Sequence, residues 1–376
     1  MDDMTAPGES GMDVSSLLYP ALMSATAKWA FTTRRVVRAD VAGLQSDVGS
    51  VRAGDLVFGE IIKIGQHKSI QLAQGRASQA YPGDLVVLAC GDRYAPDQFE
   101  AVAELNPEGS DLVAAGGLIG RMRKAHAAMA APTQVRPLGL LTDQAGAVIN
   151  VGNYALPLRP APQGLTVLGV VGASMNAGKT TAAASLAHGL MRAGHPVAAI
   201  KATGTGAFGD FNAFLDAGIA HVADFTDAGM ASTYRQPIER IERGFESLLA
   251  HVAERGAQVV VVELADGVFQ EETARLLEAS RIRDAFAGLL FAAPDALGAV
   301  GGAAILRTWG LEPFAVSGMV SCSPLGSSEA QSMIGAPVVS RDELRDPRRA
   351  IDLVSGVIRA ALPARRTTCS GWARAA

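Results

Sequence analysis

Cysteine is scarce in this sequence. Three occur in 376 residues, Cys90, Cys322 and Cys369, and none forms a Cys-x-x-Cys pair. A disulfide-stapled scaffold and a cysteine-based zinc site are therefore excluded, and a reduced, cytoplasmic interior is expected. The six histidines (His67, His126, His188, His195, His221 and His251) never fall at a His-x-x-x-His spacing, so metalloprotease chemistry has no ligand set. No Gly-x-Ser-x-Gly elbow is present for a serine hydrolase. Aromatic residues are 5% of the chain, and the abundant Ala and Gly suit tight packing of helices on a sheet. The formal net charge is -4 and no segment is strongly basic, which argues against a phosphate-tracking nucleic-acid surface. The basic pairs Arg34-Arg35 and Arg348-Arg349 read as solvated surface. The apolar patch Leu17–Met23 is too short to cross a membrane, and Asp2 and Asp3 stand where a signal peptide has its basic start. The expected partner is a small-molecule substrate, with no nucleic acid and no membrane.

The length suits two domains, at about 100–200 residues each. Residues 1–25 read as a flexible leader. Residues 26–158 have β texture: short apolar runs such as Asp55–Ile64 and Asp84–Cys90, bounded by Gly, Pro and Asp. The phrase Gly-Asp-Leu-Val occurs at Gly54–Val57 and at Gly83–Val86, each a turn feeding a strand, as in two related hairpins of a small barrel. Gly116–Ala131 reads as a short helix or loop. The polar and aromatic stretch Cys90–Phe99 reads as a loop that is either a plain turn or a face toward a substrate or the other domain. Arg159–Gly164 has linker composition.

From residue 165 to 362 the pattern changes to strand, loop, helix. Strands are expected at Thr166–Val171, Pro196–Ala202, Gln258–Glu263, Gly288–Ala292 and Phe314–Val320. Helices are expected at Thr180–Ala193, Ile238–Arg255, Glu271–Ala279, Ala299–Trp309 and Asp346–Ala361, with a frayed tail at 363–376. The fold class is thus α/β: a doubly wound, mostly parallel sheet preceded by a smaller β-rich domain.

One motif carries chemistry. An apolar strand runs into Gly172-Ala-Ser-Met-Asn-Ala-Gly178-Lys179-Thr180-Thr181, which opens a helix. That context makes a phosphate-binding P-loop. Gly172, Ser174, Asn176, Ala177, Gly178, Lys179, Thr180 and Thr181 are the candidate contacts: backbone N–H groups for the phosphates, Lys179 as a point charge, and the Thr180 hydroxyl for Mg²⁺. Glu263 ends the apolar strand Val259–Val262 and is the second candidate metal ligand, with Asp266 a weaker one. Lys201 ends another strand at the carboxyl edge of the sheet, beside the phosphate site. Asp210, Asp224 and Asp227 are carboxylates within reach of a metal or a substrate amine, or else caps and surface acids.

Five residues separate the loop's glycines, where the common form has four. This longer loop resembles that of the dethiobiotin synthetase family, and also that of the DgcN-like family of D-glutamate N-acetyltransferases. The dethiobiotin synthetase resemblance implies ATP and Mg²⁺, a homodimer, a substrate carboxylate or carbamate held by Lys201, and base contacts from Ser321–Leu325. Its matching strand ends Glu-Gly-x-Gly-Gly, whereas here Glu263-Leu-Ala-Asp266-Gly267 keeps the acid and loses the first glycine. The DgcN-like resemblance extends to Ala202–Gly206 and favours Asp224, within Val222–Asp227, as a catalytic residue. Ile334–Val339 resembles the last sheet segment of such folds. Lys179, Lys201 and Asp224 are therefore the expected catalytic set of an ATP-dependent ligase or phosphotransferase acting on a small anionic metabolite. The alternatives are an acetyl-CoA-dependent N-acetyltransferase and a regulatory nucleotide switch.

Overall fold

Hydrogen bonding sorts residues 27–361, those described by the computed structural model, into two main sheets. The expectations for the leader (1–25) and the tail (363–376) lie outside the described residues. The first sheet is built from β1 (Lys28–Trp29), β2 (Gly43–Gln45), β3 (Leu56–Lys63), β6 (Leu85–Cys90), β7 (Phe99–Val102), β8 (Ser110–Ala114), β9 (Leu118–Ala125) and β10 (Thr133–Thr142); β4 (Ser69–Gln71) and β5 (Ala77–Gln79) pair only with each other. Antiparallel pairing runs β6–β3–β10–β8–β9, and a parallel pairing of β9 with β6 returns the path to its start. Five strands thus close a small barrel, which removes their exposed edges. Both Gly-Asp-Leu-Val phrases feed strands as expected, and those strands, β3 and β6, are antiparallel neighbours.

Alternation explains how this wall is buried on both sides. Leu56 and Phe58 join one core with Val87, Ala89 and Leu118, while Val57 and Ile61 join another with Val86, Leu88, Cys90 and Ile119. Successive side chains point to opposite faces of a strand, so the two cores lie on opposite sides of one wall. Gly116–Ala131 departs from the helix-or-loop expectation, since it contains β9. The far half of that strand, Arg121–Ala125, is polar and mostly exposed, and hydrogen bonds from β7 hold it extended without any apolar alternation.

The second sheet is parallel throughout, in the order β13-β12-β14-β11-β15-β16. In chain order its elements are β11 (Thr166–Gly172), α1 (Lys179–Arg192), β12 (Val197–Lys201), α2 (Phe208–Asp216), β13 (His221–Asp224), α3 (Ile238–Ala253), β14 (Val259–Glu263), α4 (Glu271–Glu278), α5 (Arg281–Ala285), β15 (Phe286–Ala292), α6 (Ala296–Thr308), β16 (Pro313–Ser317), α7 (Pro324–Ile334), α8 (Arg341–Arg345) and α9 (Pro347–Ala361). Central strand β11 is buried along its whole length. Leu168 and Val170 pack with Ala183, Leu186 and Leu190 of α1 and Val354 of α9, whereas Val167 and Val171 share a core with Phe245 and Leu248 of α3 and Ala303 of α6. Helices cover both faces, as the unbroken apolar strands imply. In α3, Ile238, Ile241, Phe245, Leu248, Leu249 and Val252 form the buried stripe, each contributing about 1.5–3 kcal/mol of burial. The expected final sheet segment is much reduced: Ile334 closes α7, and Val338 makes a single parallel bridge to Val316.

The barrel is fastened to the P-loop sheet through Arg34. Its Nη2 donates to Asp224 Oδ1 at 2.9 Å and Asp227 Oδ2 at 2.7 Å, and its Nη1 donates to the Thr226 hydroxyl. The guanidinium lies 4.1 Å from the centroid of the Phe31 ring and 5.2 Å from that of Phe211. Arg35 approaches Asp227 at 3.7 Å. This pair was expected on the solvated surface. It is drawn inward because acids 190 residues further along the chain lie across from it.

Candidate functional site

Strand β11 delivers the loop at the topological switch of the sheet. From β11 the chain passes to β12 on one side and, after β14, crosses to β15 on the other. The crevice at the carboxyl ends of such strands is where open α/β sheets bind ligands. Asn176 and Gly178 adopt left-handed backbone, with φ 62° and 95°, and curl the loop around a concavity. Gly178 is the N-cap of α1 and supplies no side-chain cap, so the first N–H groups of the helix are left to a ligand. Lys179 folds back and donates to the Ser174 carbonyl oxygen at 2.8 Å. Burial lowers its pKa, Glu263 and Asp266 oppose that shift, and the charge of Lys201 adds to it.

Three oxygen donors converge beside the loop. Thr180 Oγ1 stands 3.0 Å from Glu263 Oε1 and 3.0 Å from Asp210 Oδ1. Glu263 is 1% exposed, yet its Oε2 has no hydrogen-bond partner. An orphaned buried carboxylate oxygen next to a hydroxyl is a hard-donor arrangement that fits Mg²⁺. No group of three or more His, Cys, Asp or Glu able to hold a metal occurs among the described residues. Mg²⁺ at this position would therefore depend on phosphate and water oxygens for the rest of its shell. Lys201 donates to Asp210 and lies 3.7 Å from Glu263 Oε1, balancing the two acids.

The barrel supplies the opposite wall. His67, Gln71, Arg93, Tyr94 and Gln98 face Lys179, Thr180, Lys201, Asp210, Glu263 and Asp266 across a cleft of about 600 Å³. The Cys90–Phe99 loop thus faces the other unit. Its Asp97 accepts from Asn176 Nδ2 at 2.7 Å, which ties the barrel to the P-loop itself. At Gly116, also on the cleft, the backbones approach so closely that a Cβ would lie 1.9 Å from the Gly206 carbonyl oxygen. Asp266 has φ 63°, and burial lifts its pKa to about 6 against the charges of Lys179 and Lys201. Burial, and then the charge of Arg93, lower His67 to about 4. Its neutral ring lies 3.1 Å from the Val113 carbonyl oxygen.

The structure separates the expected residues. Asn176, Gly178, Lys179, Thr180, Thr181, Lys201 and Glu263 all line the cleft. Ser174 lines a smaller hollow beside it. Gly172 ends β11. Ala177 is fully buried and its carbonyl oxygen accepts from the Met319 N–H, so its side chain supports the loop from behind. Asp224 does not line the cleft. It is 2% exposed and accepts from Arg34 and Thr226, so the carboxylate favoured for catalysis is committed to the junction between units. Asp210 stands beside Thr180 and Glu263 instead, placed there by α2, a helix the sequence pattern does not disclose. Of the stretch expected to contact a base, neighbouring Met319 lines the cleft, whereas Ser321–Leu325 form a 3-10 turn and the start of α7. Arg93, His67 and Gln71 also line the cleft, and none belongs to a recognisable motif. The unusual polarity of the Cys90–Phe99 loop was the one local signal.

No protein-family model and no curated protein matches the chain. Similar solved structures include the signal recognition particle 54 kDa protein from Aeropyrum pernix K1 in complex with GDP, at 23% identity and TM-score 0.34, covering 57% of this chain and 52% of that one. The cell division protein FtsY from Thermotoga maritima is 18% identical with TM-score 0.35, covering 54% of this chain and 73% of that one. FtsY from Elizabethkingia anophelis in complex with GDP is 16% identical with TM-score 0.36, covering 54% and 69%. The chain spans about half the length of the first of these proteins. Likeness at this level assigns no function. The described residues contain no helix long and apolar enough to cross a membrane.

Proposed function

We propose that this chain is a Mg²⁺- and nucleoside-triphosphate-dependent enzyme, with ATP the expected nucleotide, that transfers a phosphoryl group to a small anionic metabolite held between the barrel and the P-loop. The observation that carries this reading is the walled cleft. It places a P-loop lysine, a hydroxyl–carboxylate pair with an unpartnered oxygen, and polar barrel side chains around one space. The five-residue loop spacing and the acid ending β14 add the resemblance to dethiobiotin synthetase.

The chain's own residues divide the work. The start of α1 and Lys179 hold and neutralise phosphate oxygens. Thr180 and Glu263, with Asp210 beside them, would hold Mg²⁺, which when bound neutralises charge on the transferred group. Lys201 keeps the two acids charge-balanced, and reaches a substrate anion only by giving up that pairing. The barrel wall excludes water and fixes the acceptor, so that positioning supplies much of the rate.

Calorimetric titration of the full chain with MgATP, MgGTP and acetyl-CoA tests the reading. A screen for ADP and phosphate release with small carboxylic and amino acids follows. Nucleotide binding that requires Lys179, with release stimulated by one class of acid, supports the proposal. Binding of acetyl-CoA alone would replace it with the acetyltransferase reading. Hydrolysis that no small acid stimulates would replace it with the switch.

A further inference from the structure

Two buried cations face the cleft without forming an ion pair among the described residues: Lys179, at 7% exposure, and Arg93, at 6%. The first has an evident use at the phosphates. The second comes from the barrel, on the opposite wall. Arg93 donates through Nη1 to the Val113 carbonyl oxygen and through Nη2 to Gln98 Oε1 at 2.9 Å, while its Nε has no partner. Nη1 also lies 3.5 Å from His67 Nε2; two of the five N–H groups of a guanidinium are thus committed to closer acceptors, and three lack one. Val113, Gln98 and His67 are all neutral. The adjacent acid, Asp92, pairs with Arg235 at 3.8 Å, and Asp97 has one oxygen taken by Asn176; neither forms an ion pair with Arg93. Burial lowers Arg93 to about 10, with the charges of Asp97 and Asp266 opposing, so it stays protonated at neutral pH. A buried, protonated, incompletely hydrogen-bonded guanidinium is costly unless an anion completes it. Val113 and Gln98 fix the orientation of its plane, as a recognition group requires.

We propose that Arg93 anchors an anion-binding subsite on the barrel wall that takes an oxyanion of the bound ligand, facing the P-loop lysine across the cleft. It rests on the reading of the cleft as a site for a nucleotide and an anionic substrate. Gln98 sets the fork of the guanidinium, and neutral His67 keeps a second positive charge away from it. Two sources supply an oxyanion here: a carboxylate of the metabolite, or the terminal phosphate of the nucleotide.

Arg93→Gln and Arg93→Lys in the full chain test the subsite by calorimetry. The probes are MgADP, MgATP, succinate added to the MgADP-loaded protein, and succinate and inorganic phosphate added to free protein. The expected result is unchanged MgADP affinity, with loss of about tenfold or more in one oxyanion arm, the size of one charge-assisted hydrogen bond. Loss of succinate binding identifies a carboxylate subsite. Loss of MgATP binding alone identifies the terminal phosphate. Arg93→Lys should recover part of the loss, because it keeps the charge without the fork. If the Gln variant does not fold by circular dichroism, the Lys variant decides, and wild-type affinity for every probe overturns the subsite. The proposal is also overturned if Arg93→Gln binds every probe as wild type does, or if the wild type binds none. A wild type that binds neither nucleotide refutes the nucleotide reading instead, and the subsite is then judged on succinate and phosphate with free protein. Asp97→Asn supplies the structural control. If Arg93 serves only Asp97, both variants lower the melting midpoint alike and neither moves anion affinity.

Discussion

Replacing Arg34 by Met tests whether one buried guanidinium holds the barrel on the P-loop sheet. The change strands Asp224 and Asp227, which accept from Arg34 at 2.9 and 2.7 Å and are 2% and 12% exposed at their side chains. Breaking a buried pair by removing one partner costs about 3–5 kcal/mol. Loss of the contacts over Phe31 and Phe211 adds about 0.5–2 kcal/mol, part of which the apolar methionine restores. A net loss of about 3–6 kcal/mol, at about 2–4 °C per kcal/mol, lowers the melting midpoint by roughly 6–24 °C. The pH dependence sharpens the test. Burial already lifts the Asp227 pKa, with Arg34 opposing and Asp224 adding, and without Arg34 it rises further. An acid whose folded pKa exceeds its unfolded value of about 3.9 costs stability as pH rises through that interval. The deficit of the variant is therefore widest at neutral pH and narrows toward about pH 4. Scanning calorimetry of both proteins across this range measures it. A midpoint loss under about 2 °C at neutral pH, or a deficit that does not narrow on acidification, refutes the assignment of Arg34 as the fastening.

Asp266→Asn removes a carboxyl that burial lifts to about 6, at a left-handed backbone position that Asn tolerates. Because the folded pKa lies above the unfolded one, the variant should match wild type near pH 4 and be more stable by about 1–2 kcal/mol near pH 8, the full shift being discounted for partial exposure. Urea midpoints across pH measure this, and a pH-independent difference would sink the explanation. Glu263→Gln should leave nucleotide affinity in EDTA unchanged and abolish about tenfold or more of the tightening produced by Mg²⁺; calorimetry showing a wild-type response to Mg²⁺ would remove Glu263 from the metal pair. Gly116→Ala drives a Cβ to within 1.9 Å of the Gly206 carbonyl oxygen, so it should destabilise by about 1–3 kcal/mol and impair substrate-dependent turnover more than nucleotide affinity. An unchanged melting midpoint would show that the barrel does not bear on the P-loop unit there.

The range of an interaction along the chain decides which features are legible in sequence. Val259–Glu263 and Thr166–Gly172 declare themselves because a parallel strand covered on both faces must be apolar at every position, and the P-loop declares itself because its turn, lysine and helix start are contiguous. The barrel is legible only in part: β3 and β6 begin at repeated turn phrases, but the polar end of β9 is held by hydrogen bonds to β7 and carries no periodic signal of its own. Asp224 and Asp210 show the limit most sharply. Both are acids following strand-like or glycine-bearing stretches, and nothing local separates them. What separates them is Arg34, which claims Asp224 from 190 residues away, and α2, which carries Asp210 to the hydroxyl of Thr180. The same distance hid Arg93. Its loop is unusually polar for a plain turn, but only closure of the barrel brings it across from Lys179. A cleft wall assembled from the other end of the chain leaves no spacing to read. Its trace is instead energetic: a guanidinium kept buried, protonated and short of an anion, an arrangement that folding alone disfavours and ligand binding would relieve.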